Sequence, residues 1–180
     1  ALEEEVYTFV SGEDLVEQGS YGELVAGAYN TLSFPFEWGN YHNVVNFDTD
    51  YQTGPVWAFG ALGAGNFYEN GSSISFYQSY YQAIHRSNYH SHLIAQMSIP
   101  DDEKNNAIGE LKFLKAWAYF NLLQFYGDVV LYKTSVSEGA PLYQPRAPIR
   151  EVYEHIIEEL KVAENAMYST KAAKYKKGHA

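Results

Sequence analysis

The chain has 180 residues, of which 46% are hydrophobic, 17% aromatic and 19% charged, and its formal net charge is −10. This composition argues against a disordered segment or a coiled-coil rod, and the acidic balance disfavours nucleic acid, whose binding depends on phosphate neutralisation by Lys and Arg. Without cysteine, neither disulfides nor thiolate chemistry is available. The length predicts one domain or a large part of one.

The first helix is predicted near residues 20–33. Ser20 and Glu23 have the spacing of a capping box, apolar residues recur behind them at helical spacing, and Pro35 is expected to end the pattern. Residues 1–19 are acidic and irregular, with a short helical turn expected around residues 12–16.

A long irregular loop is predicted over residues 33–73, where Gly, Asn, Asp and aromatic residues dominate. Loops of this length are uncommon in compact domains and are usually functional. Flat aromatic rings beside amides and carboxylates are typical of carbohydrate sites. The alternative, which is at least as plausible for each ring, is that the aromatics attach the loop to the helices. The aromatic candidates are Trp38, Tyr41, Trp57, Phe67 and Tyr68.

Three more helices are predicted, near residues 75–97, 102–126 and 148–168. Asn70-Gly71 indicates a tight turn before the first of them, and Asp101 or Asp102 is expected to cap the second. Gly127 is expected to end that helix in a left-handed conformation and to release an extended segment. The result is a mainly all-α fold of helix pairs similar to tetratricopeptide pairs, each of which needs neighbours to cover its apolar face.

The helix near 102–126 is expected to be central, because its apolar residues cover most of its circumference. No motif for catalysis accompanies it: the sequence has neither G-x-S-x-G nor H-E-x-x-H. His90 and His92 point apart on a helix, and an EF-hand at Asp48 fails because Phe59 stands where a bidentate Glu is required. The sequence therefore predicts a binding protein, with no metal and no cofactor.

Residues 110–131 (ELKFLKAWAYFNLLQFYGDVVL) closely resemble the signature of SusD/RagB-like proteins, which are nutrient-binding outer-membrane lipoproteins of Bacteroidetes. Lys115 stands where this family usually has Arg, and Val130 where it usually has Pro. The matching residues are Glu110, Phe113, Leu114, Ala116, Tyr119, Phe120, Gly127, Asp128, Val129 and Leu131.

The resemblance implies a SusD-like fold, of which residues 1–180 would form the N-terminal part. It implies a lipid anchor on an N-terminal Cys outside this chain, a location on the extracellular face of the outer membrane, and docking onto a SusC-like TonB-dependent transporter. The expected ligand is a glycan, or in the alternative a peptide or protein, and no catalysis is expected.

The resemblance also divides the candidate residues into two groups. Ligand sites in the family draw partly on the region between the first two helices, and the ligand candidates there are Trp38, Tyr41, Asp48, Asp50 and Trp57. The signature helix is expected to be structural, and its candidates are Glu110, Leu114, Trp117, Gly127 and Asp128.

Overall fold

The computed structural model describes residues 11–37, 40–47, 49, 51 and 71–168. We number the helices and strands in chain order. The helices are α1 (Gly12–Gln18), α2 (Tyr21–Tyr29), α3 (Ser33–Phe36), α4 (Asn40–Phe47), α5 (Gly71–Gln96), α6 (Asp101–Tyr126) and α7 (Ile149–Ala166), with 3-10 turns at Asn30–Leu32 and Val136–Glu138 and two strands, β1 (Val129–Val130) and β2 (Arg146–Ala147).

The described fold consists mainly of three long helices, α5, α6 and α7, and α6 packs against the other two. The prediction of a mainly α-helical fold is confirmed, and the three long helices begin and end within a few residues of their predicted limits. The central place of α6 follows from its sequence, because a helix that is apolar on several sides must be covered on several sides.

Two apolar clusters hold these helices together. The first lies between α5, the C-terminal half of α6 and α7, and includes Tyr80, Tyr119, Leu122 and Val152. The second lies between α2, the end of α5 and the start of α6, and includes Leu24, Ile94, Leu111 and Leu114. Because α5 and α6 contribute to both clusters, this helix pair is the central packing unit of the described fold.

The chain leaves α6 through Gly127, as predicted, but the conformation differs from the prediction. Its φ of 68° is positive while its ψ of −128° is extended, so this glycine is outside the left-handed helical region that was expected. The positive φ still favours glycine there. β1 then pairs antiparallel with β2, with Val129 opposite Ala147, and Asp128 Oδ1 accepts a hydrogen bond of 3.0 Å from the backbone N–H of Ile149. The segment that follows α6, Asp128 with β1, thus also fixes the start of α7.

The predicted capping box at Ser20 is wrong. The Ser20 side chain makes no capping hydrogen bond, and its φ of −83° and ψ of 61° are outside the extended region that a capping residue normally adopts. The reason is its neighbour: Gly19 ends α1 in the left-handed conformation, and this turn sets the backbone of Ser20. The capping box lies one helix earlier, where Ser11 and Asp14 bond each other's backbone N–H groups.

The predicted loop over residues 33–73 is partly helical. Pro35 lies inside α3 instead of ending the preceding helix, which already ends at Tyr29. A proline in the first turn of a helix removes no helical hydrogen bond, since those N–H groups have no partner within the helix. Helix α4 also lies in this stretch, and α5 begins at Gly71, whereas Asn70 of the predicted tight turn lies outside the described residues.

The predicted cap of α6 also differs. Pro100 occupies the capping position and makes no side-chain hydrogen bond, while Asp101 is the first residue of the helix. Its carboxylate and that of Asp102 still favour this end electrostatically, because the N-terminus of a helix carries a partial positive charge. None of the described helices has both the length and the apolar character required to span a membrane.

Candidate functional site

Four of the five predicted ligand residues, Trp38, Asp48, Asp50 and Trp57, lie outside the described residues. Tyr41 lies on α4 and is partly buried. Its ring contacts Phe125 of α6 edge-on, with 6.0 Å between ring centroids, and lies 5.9 Å from Phe36. Tyr41 therefore packs α4 against α6, and a ligand role for the set stays a prediction.

The signature residues lie away from the two cavities described below. Glu110 accepts a hydrogen bond of 2.8 Å from Asn106, and Leu114 is 2% exposed inside the second apolar cluster. Trp117 packs edge-on against Tyr80 at 5.7 Å. Their contacts are to other parts of the fold.

A cavity of about 310 Å³ lies between α5 and the segment that follows β1. We call it the tyrosine groove, and its principal walls are Tyr77, Tyr81, His85 and Asn88 of α5 with Tyr132 and Leu142 of the following segment. Cavities of this size are at the lower end of the range that binds small ligands.

Helical spacing places the first wall of the groove. Tyr77, Tyr81 and His85 follow one another at intervals of four residues, so they share one face of α5. The rings of Tyr77 and Tyr81 lie 4.6 Å apart, and Tyr77 also contacts Tyr126 edge-on at 5.2 Å. Tyr77 remains 37% exposed, so part of its aromatic surface is available to a ligand.

The next two rings of the groove are held through their hydroxyl groups. Tyr81 donates a hydrogen bond of 2.9 Å to the carbonyl of Val130, and Tyr132 donates one of 2.7 Å to the carbonyl of Leu142. Burial raises the pKa of Tyr81 well above its ordinary value, so its hydroxyl stays protonated and keeps donating. These rings are therefore oriented before any ligand arrives.

Buried polar groups position the wall opposite α5. Asn88 donates a hydrogen bond of 3.0 Å to the carbonyl of Tyr132, and the backbone N–H of Tyr132 donates one of 2.7 Å to the hydroxyl of Tyr119. Tyr119 is completely buried in the first apolar cluster. The signature helix thus fixes one wall of the groove without entering it.

A second cavity, of about 280 Å³, lies beside the tyrosine groove. We call it the lysine pocket, because Lys112, Lys115 and Lys133 line it together with Glu138 and Glu159.

The lysine pocket contains a buried ion network. Lys115 Nζ lies 2.8 Å from the carbonyl oxygen of Lys133 and 3.3 Å from Glu159 Oε1, and Lys112 Nζ lies 2.9 Å from Glu159 Oε2. Burial opposes ionisation of Glu159, but Lys115 and Lys112 outweigh it and hold its pKa below the ordinary value. Burial lowers the pKa of Lys115, and Glu159 opposes that shift.

His155 lies beside the same network, 3.6 Å from Glu159, and is 6% exposed. Burial and the neighbouring ammonium of Lys115 lower its pKa to about 4, so this imidazole is neutral at pH 7. Within the described ranges, no group of three or more His, Asp or Glu side chains is arranged to hold a metal ion.

Sequence analysis missed both cavities. The predicted ligand candidates all lie between residues 38 and 57, and Tyr41, the one that the structure describes, lines neither cavity. The spacing of Tyr77, Tyr81 and His85 is visible in the sequence and marks one wall. The other walls come from residues 40 or more positions later, and no local pattern brings them to α5.

In the comparison with protein families, the model of a SusD-like family described as "Starch-binding associating with outer membrane" matches residues 28–177. No curated protein sequence matches the chain.

Solved structures resemble the fold. One is a SusD-like carbohydrate binding protein from Bacteroides vulgatus, with a TM-score of 0.72 and 18% identity over 86% of this chain and 36% of its own. A laminarin-binding SusD-like protein has a TM-score of 0.71 and 17% identity, covering 87% of this chain and 35% of its own. A third, solved with a xylogluco-oligosaccharide, has a TM-score of 0.70 and 18% identity, covering 85% and 31%. The chain spans about a third of the length of these structures.

Proposed function

The chain belongs to the SusD-like family, and we propose that it captures oligosaccharides or polysaccharides at the cell surface and delivers them to a SusC-like TonB-dependent transporter. The observation that carries this proposal is the family match over residues 28–177. The similarity in fold to proteins named for carbohydrate and laminarin binding supports it.

The tyrosine groove is the described site that suits this function. A sugar ring has apolar faces that stack on aromatic rings and hydroxyl groups that bond polar side chains. The groove offers both, since Tyr77 leaves aromatic surface exposed and Asn88 and His85 line the same cavity. The five candidates from the sequence, Trp38, Tyr41, Asp48, Asp50 and Trp57, form a second proposed contact region.

Binding of oligosaccharides to purified protein by calorimetry tests this assignment. Replacing Tyr77 with Ala should weaken binding about two- to twelvefold, because an aromatic contact contributes roughly 0.5–1.5 kcal/mol. Tyr143→Ala is the matched control, because Tyr143 is 90% exposed and lines neither cavity. Unchanged affinity in Tyr77→Ala would exclude the groove, and unchanged affinity in both Trp38→Ala and Trp57→Ala would exclude the loop candidates.

A peptide is the second candidate ligand. The walls of the tyrosine groove are largely aromatic and aliphatic, and the hydroxyls of Tyr81 and Tyr132 are already engaged by backbone carbonyls. Such a surface also suits apolar side chains of an extended peptide. A panel of oligopeptides measured beside the oligosaccharides separates the two ligands, since saturable binding of only one class decides between them.

We propose that binding is not followed by chemistry. Oligosaccharide recovered after prolonged incubation with the protein should be intact by mass spectrometry, and release of shorter products would contradict this.

The proposed location is the extracellular face of the outer membrane, with attachment through a lipid anchor outside this chain. The proposed partner, a SusC-like transporter, should copurify with the tagged full-length protein from detergent-solubilised outer membranes. Recovery of the tagged protein in the cytosol, without a transporter, would contradict both proposals.

A further inference from the structure

Resting on the proposed glycan binding, we infer that this protein prefers glycans that carry carboxylate groups. In this arrangement a sugar ring lies in the tyrosine groove, and its carboxylate lies in the lysine pocket near Lys112 and Lys133.

The two cavities are adjacent. Asn88 of α5 and Thr134 of the segment after β1 line both of them. A ligand with an apolar ring face and a charged substituent can therefore span both cavities along α5.

The lysine pocket is richer in basic residues than the chain as a whole. The formal net charge of the whole chain is −10, whereas the pocket has three lysines against the carboxylates of Glu138 and Glu159. Glu138 is paired with His92 at 3.4 Å, and Glu159 accepts from two lysines. On the pocket walls themselves, a carboxylate entering from the groove would meet three ammonium groups and two carboxylates.

Lys112 and Lys133 are the lysines that a ligand can reach. The side chain of Lys115 is 3% exposed, whereas that of Lys112 is 29% and that of Lys133 is 58% exposed. Each ammonium group has three N–H donors. Lys112 contacts one oxygen of Glu159 and Lys133 lies 3.4 Å from Glu151, so both can donate to a further acceptor.

A buried hydroxyl points to a ligand independently of the charges. Ser87 lines the lysine pocket and is 1% exposed, and its Oγ has no hydrogen-bond partner in the described part of the chain. Buried hydroxyl groups nearly always have a partner. A carboxylate oxygen at the inner end of the pocket would accept from this hydroxyl.

Calorimetry with two matched probes tests the inference at low salt: the trimer of galacturonic acid and the same trimer as its methyl ester. The ester keeps the rings and removes the charge. The acid should bind about tenfold more tightly than the ester, because a hydrogen bond to a charged group contributes more than a neutral one. The difference should shrink as salt is raised, since one lysine is largely exposed.

Two variants locate the effect. Lys112→Gln should remove most of the preference for the acid and change binding of the ester less than about twofold. Lys161→Gln is the control, because it removes the same charge from an exposed position of α7 that lines neither cavity. Thermal unfolding of each variant shows whether it is folded, and Lys133→Gln repeats the test at the rim of the pocket.

The outcomes separate this inference from the proposed function. Equal binding of acid and ester, or a preference that survives Lys112→Gln and Lys133→Gln, overturns the inference while glycan binding stands. Binding of neutral oligosaccharides without binding of either probe has the same meaning. Absence of binding to every glycan contradicts both proposals.

Discussion

The middle of α6, from residue 111 to residue 115, makes contacts of opposite chemical character on its two sides. Toward α2 and α5 it presents Leu111 and Leu114, which are fully buried in an apolar cluster. Toward α7 it presents Lys112 and Lys115, which meet the buried carboxylate of Glu159. The same two turns of helix therefore have an apolar side and an ionic side.

The comparison shows what each kind of packing contributes. Apolar burial stabilises in proportion to the area removed from water and depends little on pH. A buried ion pair contributes little net stability, because desolvation offsets its attraction, but breaking it is costly. The ionic side also borders the lysine pocket, so the charges that join α6 to α7 are the charges a ligand would meet.

The largest expected effect comes from breaking the ionic side. Glu159→Ala leaves Lys115 buried without its carboxylate and should lower the free energy of unfolding by roughly 3–5 kcal/mol at pH 7, measured by urea denaturation. The loss should be smaller at pH 9, because burial already lowers the pKa of Lys115 and the variant lysine can lose its proton. Glu158→Ala, at the exposed neighbouring position, should change stability by less than about 0.5 kcal/mol. Equal losses in both variants would contradict a buried ion network.

The apolar side should lose stability without this pH dependence. Leu114→Ala should lower the free energy of unfolding by about 3 kcal/mol, because it removes a buried side chain and leaves a cavity between α2, α5 and α6. The loss should be the same at pH 7 and pH 9, in contrast to Glu159→Ala. Leu160→Ala is the control, since Leu160 is 39% exposed, and it should cost less than half as much. A pH-dependent loss in Leu114→Ala would remove the distinction between the two sides.

Protonation of His155 in the unfolded chain should lower the stability of the protein in mild acid. Its pKa is lowered from 6.5 to about 4, so the unfolded chain binds the proton first and stability falls as the pH decreases from about 6.5 to 4. Between pH 7 and pH 5 this histidine should account for about 2 kcal/mol of lost unfolding free energy. The pKa of His90 is also lowered, mainly by burial, and acts in the same direction. The comparison is therefore between the wild type and His155→Leu, whose smaller loss over this range isolates His155, and equal losses would refute the assignment.

Sequence analysis predicted the apolar side better than the ionic side. The apolar residues of α6 recur at helical spacing, and Gly127 marks its end, so the helix and its central place could be inferred locally. The pairing of Lys115 with Glu159 joins positions 44 residues apart. It depends on the angle at which α7 returns, which Asp128 and the two short strands set, and no local pattern contains that angle.

The candidate site was predictable to a smaller extent for the same reason. Helical spacing places Tyr77 and Tyr81 on one face, but the groove exists only because the segment after β1 folds back along α5. A local pattern also misled at Ser20, where the preceding glycine set the backbone. The family resemblance supplied the fold that these long-range contacts build.

The smallest expected effect tests how closely α6 and α7 approach on the ionic side. A Cβ at Gly109 would lie 2.9 Å from Met167 Cγ and 3.1 Å from Ala166 Cβ, so Gly109→Ala should force the end of α7 to move. After the gain in helix propensity is counted, the free energy of unfolding should fall by about 1 kcal/mol. Gly22→Ala is the matched control, because nothing lies within 4 Å of its Cβ, and it should stabilise the protein by up to about 1 kcal/mol. The two substitutions are chemically identical, so opposite signs in thermal unfolding would measure the close contact alone. Stabilisation by both would mean that the end of α7 yields easily, and the ionic network would then be the main attachment of α7 to this half of α6.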